Sequence, residues 1–242
     1  MPPSFGARWT PEANSEAEEW FRRKTPISKR SYDLLTGKAK EQAFTVARVA
    51  HVDALTSILD AIQSAIDNGT TFDDFKVDVP LPDWHAETVF RNNVQSAYNA
   101  GRHERHTDPD VIADRPYWMF DAVSDDATTP VCRACDGVIL PADHPWWGTH
   151  YPILHHNCRS TVISLTEEEA LEMGVTASPP TLDADAGFGA RPAGPVAISL
   201  DGWREEDHPR GKGQERHDRE AEACAGHEEN APRDSSVADS QA

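Results

Sequence analysis

No stretch of this 242-residue chain approaches the roughly 20 consecutive apolar residues that a bilayer span requires. The richest apolar stretch, Ile58 to Ile66, is interrupted by Asp60, Gln63 and Ser64. The opening MPPSFGARWTPE lacks the basic patch, apolar run and small-residue cleavage site of a secretory signal. A chain that is neither secreted nor membrane-inserted is expected. Positive charge is also short. Lys and Arg number 23 against 41 Asp and Glu, and the net charge of −18 excludes a general nucleic-acid coat, because phosphate binding needs a basic surface. Only four cysteines are present, and without an export signal they argue against a disulfide framework. The chain has no G-x-S-x-G, phosphate-binding glycine loop or H-E-x-x-H, which removes the commonest nucleophile, nucleotide and metalloprotease signatures.

What is there divides unevenly. Residues 1–14 read as a flexible N-terminus, 15–174 as one domain and 175–242 as an acidic, low-complexity, disordered tail. From 176 onward 14 acidic and 7 basic side chains accompany only two aromatics, Phe188 and Trp203. A short ordered contact around Val196–Trp203 is the exception allowed within the tail. The fold class expected is α+β, with a mostly helical N-terminal part followed by a small β-containing Cys/His unit at 115–174.

In the helical part, Ser15 to Lys24 reads as a short charged helix anchored by Trp20 and Phe21. Ser28 to Val49 reads as one or two helices weakened near Gly37. Val52, Leu55, Leu59, Ile62 and Ile66 recur at helical spacing, and Asn68-Gly69 supplies a stop. Thr70 and Asp73 are placed to cap a turn through Phe75, and Pro80 and Pro82 then break the chain. His85 to Arg102 reads as a second long helix. Its Phe90, Val94, Ala97 or Tyr98, and Gly101 share a face whose small members allow close packing. Asn92 and Asn93 are unusual mid-helix, since their amides compete for backbone partners, and they are candidates to bond a neighbouring segment. Tyr117–Val123 and Ser160–Leu165 read as strands, and Thr166 to Glu169 as a capping box opening a short helix.

The two strands bracket the most informative residues. Cys132, Cys135, His155 and Cys158 give C-x2-C-x19-H-x2-C, two short pairs that a loop can bring together around a tetrahedral metal. Three sulfurs and an imidazole suit Zn²⁺ better than the oxygen-seeking Mg²⁺ or Ca²⁺. His144, His150 and His156 compete with His155 for the fourth position, and His155 is preferred because the x2 spacing turns both side chains inward from one loop. A reduced cysteine cluster without metal, or a Cys132–Cys135 redox pair, remain alternatives. A small β unit with a long loop has little core, so the metal is expected to supply much of its folding free energy. Three thiolates and one imidazole would form a closed, structural site without catalysis.

FRNNVQSAYNAGR (90–102), CRACDG (132–137), HPWW (144–147) and PILHHNCRS (152–160) together resemble the phage head morphogenesis family, which includes the Mu F-like and SPP1 gp7-like minor head proteins. AEEWFRRKTPIS (17–28) is similar to the family's lead-in, and the likeness covers about residues 15–174. Members usually read close to P-P-x-H-x-x-C-R-C at the last block. Here Ile153 replaces the second proline and Ser160 the last cysteine, while His155, Cys158 and Arg159 match the motif and Cys132 and Cys135 match its first pair. The resemblance implies a non-enzymatic minor head protein, found in the virion or in host cytoplasm during assembly. It would act near the portal with portal, capsid and scaffold proteins and influence DNA packaging or release.

Two further readings stand beside it. One is a metal-dependent nuclease acting during packaging, with His156 activating water; the other is a zinc-stabilised interaction module with no phage role. DNA contact would fall to two basic clusters: Arg22, Arg23, Lys24, Lys29, Arg30, Lys38 and Lys40, and then Arg102, His103, Arg105 and His106.

Overall fold

The computed structural model describes residues 15–35, 38–77 and 79–192. The expected flexible residues 1–14, the Val196–Trp203 contact and Cys224 lie outside these. In chain order the elements are α1 (Ser15–Arg22), β1 (Thr25–Pro26), α2 (Lys29–Leu34), α3 (Lys38–Gln42), β2 (Ala43–Phe44), α4 (Val52–Asn68), α5 (Phe72–Phe75) and α6 (Asp83–His106). They continue with α7 (Pro109–Asp114), β3 (Tyr117–Asp121), α8 (Pro130–Cys135), β4 (Ile139–Pro141), α9 (Trp147–His150), β5 (Thr161–Leu165) and α10 (Glu167–Met173). The α+β reading holds in this form: helices come first, and a small antiparallel sheet of order β4-β3-β5 follows.

The helical part has its own core. Leu55, Ile58, Ile62, Ala65 and Ile66 of α4 are buried, whereas Val52 is 47% exposed, so the buried face is rotated slightly from the one the spacing picks out. Gly69 ends α4 at φ 64, the left-handed conformation that an L side chain disfavours, as the Asn-Gly stop predicts. The cap of α5 lies one residue later than expected. Thr71 Oγ1 accepts from Asp74 N–H while the Asp74 carboxylate accepts from Thr71 N–H, the reciprocal pair that defines a capping box. Between α2 and α4 the expected helix is interrupted by a short parallel pairing of Thr25 with Ala43 and Pro26 with Phe44.

Long helix α6 joins the two halves of the domain. Gly101 lets α1 approach so closely that a Cβ there would lie 2.6 Å from the Ala17 nitrogen. Its polar positions Asn92, Gln95, Asn99 and Arg102, spaced 3, 4 and 3, form a stripe that bonds a single stretch of backbone. Asn157 N–H donates to Asn92 Oδ1 at 2.7 Å, and Gln95 and Asn99 both donate to the Ser160 carbonyl, at 2.9 and 3.0 Å. Thr161 Oγ1 donates to Asn99 Oδ1 at 2.9 Å, and Arg102 donates to the Val162 carbonyl at 3.0 Å. The mid-helix asparagine thus has a structural reason: Asn92 carries the turn before β5.

The Cys/His unit has a second core, larger than its loop-rich sequence implies. Trp118, Phe120, Trp147, Tyr151, Leu154 and Val162 are fully buried, packed with Cys132, Cys135, Cys158 and Trp146. Trp118 makes edge-on contacts with Trp147 at 5.7 Å and Tyr151 at 5.9 Å.

The expected tail boundary at 174 differs from the structure. Residues 175–192 pack along this unit. The Trp146 indole donates to the Pro180 carbonyl and His150 Nε2 to the Leu182 carbonyl, while Asp185 and Gly189 N–H donate to the Leu154 and Ile153 carbonyls. Arg191 lies 5.2 Å over the Trp118 ring. Residues 193–242 lie outside the described part.

Candidate metal centre

Pro130 at the first helical position fixes its own φ and lacks the N–H that a helix start leaves unsatisfied, so CRAC forms the short helix α8 rather than a turn. Cys132 and Cys135 share its inner side and are both buried. The chain returns through the turn at His155–Cys158, where Asn157 takes φ 58 and is held by Asn92.

Among the described residues, Cys132, His155 and Cys158 bring one donor atom each within 4.8 Å of the others. Cys135 is not in that group. Cys132 Sγ lies 3.1 Å from His155 Nε2 and 3.6 Å from Cys158 Sγ. These separations resemble the edges of a zinc tetrahedron: Zn–S near 2.3 Å and Zn–N near 2.0 Å place sulfur about 3.5 Å from nitrogen and about 3.8 Å from sulfur. Cys132, Cys135 and Cys158 are free thiols.

The imidazole is set for ligation. His155 Nδ1 lies 2.8 Å from the His156 carbonyl, which can only accept, so Nδ1 carries the proton and Nε2 turns its lone pair on the thiols. Thr129 Oγ1 donates to the same Nε2 at 2.9 Å. The thiols are unequal. Cys158 is drawn toward the thiolate, first because Cys132 donates to it and then through the backbone of Leu154 and Ser160, with burial opposing. Cys132 is correspondingly raised by that bond and by burial. Burial pushes Cys135 up to about 11, with the nearby charge of Cys158 adding to it.

The other candidate histidines are engaged elsewhere. His144 Nδ1 accepts from Trp146 N–H, and His150 stacks on Trp146 at 4.5 Å. His156 Nδ1 accepts from the Asn92 amide at 2.8 Å, and its ring meets Phe188 edge-on. Sequence reasoning missed Thr129 and Asp125, which frame the site. Thr129 sits at the N-cap position before the helix-opening proline, but its hydroxyl makes no cap bond and turns to His155 instead. Asp125 binds both Arg159 guanidinium nitrogens at 2.6 Å, and that bidentate bond holds its carboxyl well below the usual range.

The basic clusters are largely committed within the domain. Arg22 pairs with Glu18 and Asp67, Arg23 with Glu19, Lys29 with Asp33, and Arg105 with Glu16. Lys24 lies 3.8 Å over Trp20 and Lys40 5.2 Å over Tyr32. Arg102 bonds the Val162 carbonyl, and His103 and His106 are buried. The side chain of Lys38 lies outside the described part. This arrangement gives the DNA-facing reading no support. No helix among the described residues is long and apolar enough to cross a membrane.

Residues 56–163, from α4 through the Cys/His unit into β5, match the sequence model of the family described as Phage Mu protein F like protein. The chain is 28% identical over 203 residues to the putative capsid assembly protein F of Escherichia phage Mu, covering 72% of this chain and 45% of that protein. It is 30% identical over 162 residues to the Mu-like prophage FluMu F protein of Haemophilus influenzae, covering 58% of this chain and 39% of that one. The chain therefore spans less than half the length of these curated relatives. No solved structure matches it. Through residues 56–163, the chain is similar to the Mu F-like family of phage proteins.

Proposed function

We propose that this chain acts in phage head assembly, as a minor structural component that contacts the portal and other capsid or scaffold proteins, with a zinc-stabilised Cys/His unit. The observation that carries the reading is the position of the family match. It covers α6, the stripe on α6 and the whole turn it carries, and one relative over this region is named a capsid assembly protein. Two thiols and an imidazole converging within 4.8 Å are a zinc-type donor set, unlike the oxygen donors that Mg²⁺-dependent phosphodiester cleavage employs. The assembly reading therefore ranks above the nuclease one. When bound, the metal would tie α8 to the 155–158 turn and so fix the edge of the small sheet. The role is one of shape and contact, played in the virion or in host cytoplasm during assembly.

The experiment is mass spectrometry of purified proheads and virions from a strain producing the protein. The protein is expected in both at low copy, cross-linkable to portal. Its absence from both overturns the reading. Metal content is tested separately by elemental analysis after chelator-free purification. About one zinc per chain is expected, and a value near zero that Cys132→Ser leaves unchanged overturns the zinc assignment.

A further inference from the structure

We infer that the metal centre is open: among the described residues, Cys132, His155 and Cys158 are its protein ligands, and its fourth position faces a small cavity that takes a water molecule or a small anion. The inference rests on the metal-binding reading above and changes the expected four-ligand set.

Two observations point to it. First, the three donor atoms lie within 4.8 Å of one another, whereas Cys135 is absent from that group. Cys135 is fully buried in the second core. The x2 spacing of Cys132 and Cys135 puts them nearly one helical turn apart on α8, where both face inward but need not point at the same centre.

Second, a cavity of about 20 Å³ lies against Cys132 and His155, which line it with Val123, Thr129, Arg159 and Ser160 among others, while Cys135 and Cys158 do not. That volume exceeds the roughly 10–15 Å³ that a single water needs. The lining is mixed, with Val123 and Ala127 beside the Thr129 hydroxyl and the Arg159 guanidinium, and those polar groups suit a ligand with lone pairs. The Thr129 hydroxyl is already 2.9 Å from His155 Nε2, and Arg159 is fixed in place by its two bonds to Asp125. Ser160 also borders the cavity. A centre with three protein ligands and one exchangeable position differs chemically from a closed knob, because an outside donor can enter and leave without breaking a protein–metal bond.

Cobalt substitution and X-ray absorption separate the alternatives on the full chain. The zinc-loaded protein is expected to show two sulfur neighbours and two lighter ones at the zinc edge, a measurement that needs no variant. The cobalt-loaded protein is expected to keep its thiolate-to-cobalt charge-transfer intensity in Cys135→Ala, and to change its visible bands on addition of azide. Three sulfur neighbours, loss of about a third of the charge-transfer intensity in Cys135→Ala, or indifference to azide would each overturn the open site while leaving metal binding intact. Failure to take up either metal would overturn the metal reading itself.

Discussion

Replacing Gly101 by alanine tests whether α1 and α6 are as close as the structure places them. A Cβ at Gly101 would sit 2.6 Å from the Ala17 nitrogen and 3.0 Å from its Cα and Cβ. Ordinary carbon contact begins near 3.4 Å, and the obstructing atoms are largely backbone, so no side-chain rotation relieves the overlap. Helix α1 has to move outward by several tenths of an ångström at least. It is held by Phe21, edge-on to Phe44 at 6.3 Å, and by Glu16, which takes two guanidinium nitrogens of Arg105. Two effects oppose each other. Alanine improves the helix interior by about 1 kcal/mol over glycine. Overpacking of a tight contact costs about 1–3 kcal/mol, toward the upper end when backbone must shift. A net loss of about 1–2 kcal/mol is expected. Gly148→Ala is the control, since nothing lies within 4 Å of a Cβ there, and it should be neutral or slightly stabilising. Urea unfolding followed by tryptophan fluorescence measures both, and amide exchange over residues 15–22 locates the effect. If Gly101→Ala is as stable as the parent or more so, the close approach is wrong and the smallness of residue 101 has no packing role.

The remaining predictions concern acid and the turn. Burial, reinforced by Arg191 on His103 and by Arg102 and His103 on His106, pushes both imidazoles down to about 4. Because the unfolded chain binds these protons first, their contribution is complete above pH 6.5 and is lost as pH falls toward 4, at about 2 kcal/mol each by pH 5. Urea midpoints at pH 7.5 and 5 should therefore diverge less in His103→Phe than in the parent, and an identical pH dependence would refute the assignment. Asn92→Ala removes the support of the His155–Cys158 turn, and competition titration with a chelator should show zinc affinity reduced about 10–100-fold. Unchanged affinity would mean that the turn holds itself.

The helices were legible where periodicity was strong and backbone partners were local. Ile62 and Ile66 with the Asn68-Gly69 stop fixed α4, and the alternation in STVISL fixed β5. The segment 175–192 was not legible, because its attachment uses few apolar side chains. It is held through its own carbonyls and N–H groups, bonded to Trp146, His150, Leu154 and Ile153, and such bonds leave no compositional trace. Gly189 was the one local clue. At φ 81, with a hypothetical Cβ 2.2 Å from the Thr149 carbonyl oxygen, it marks a close approach rather than a flexible linker. At the candidate site, the spacing identified the residues that converge but could not decide their directions. Cys132 and Cys135 look equivalent as C-x2-C, yet on the helix both are buried and only Cys132 falls in the donor group with His155 and Cys158.

The aromatic core also changes what the metal has to do. A loop-rich unit with few apolar residues would depend on its ion for folding. Here Trp118, Phe120, Trp147, Tyr151 and Leu154 are removed from water, each burial worth on the order of 2 kcal/mol or more, and the stripe on α6 bonds the backbone from Asn157 to Val162 independently of any thiolate. The sheet and its core therefore have their own stabilisation, and the stretch left to the ion is short: α8, the His155–Cys158 turn and the Asp125–Arg159 pair beside them. An ion bound there, as proposed, would act as a local latch between two segments that tertiary packing already brings together. Cys132 Sγ already stands 3.1 Å from His155 Nε2 and 3.6 Å from Cys158 Sγ, and the polar side of α6, through the bond of Asn92 to Asn157, holds the turn that carries two of the three donors.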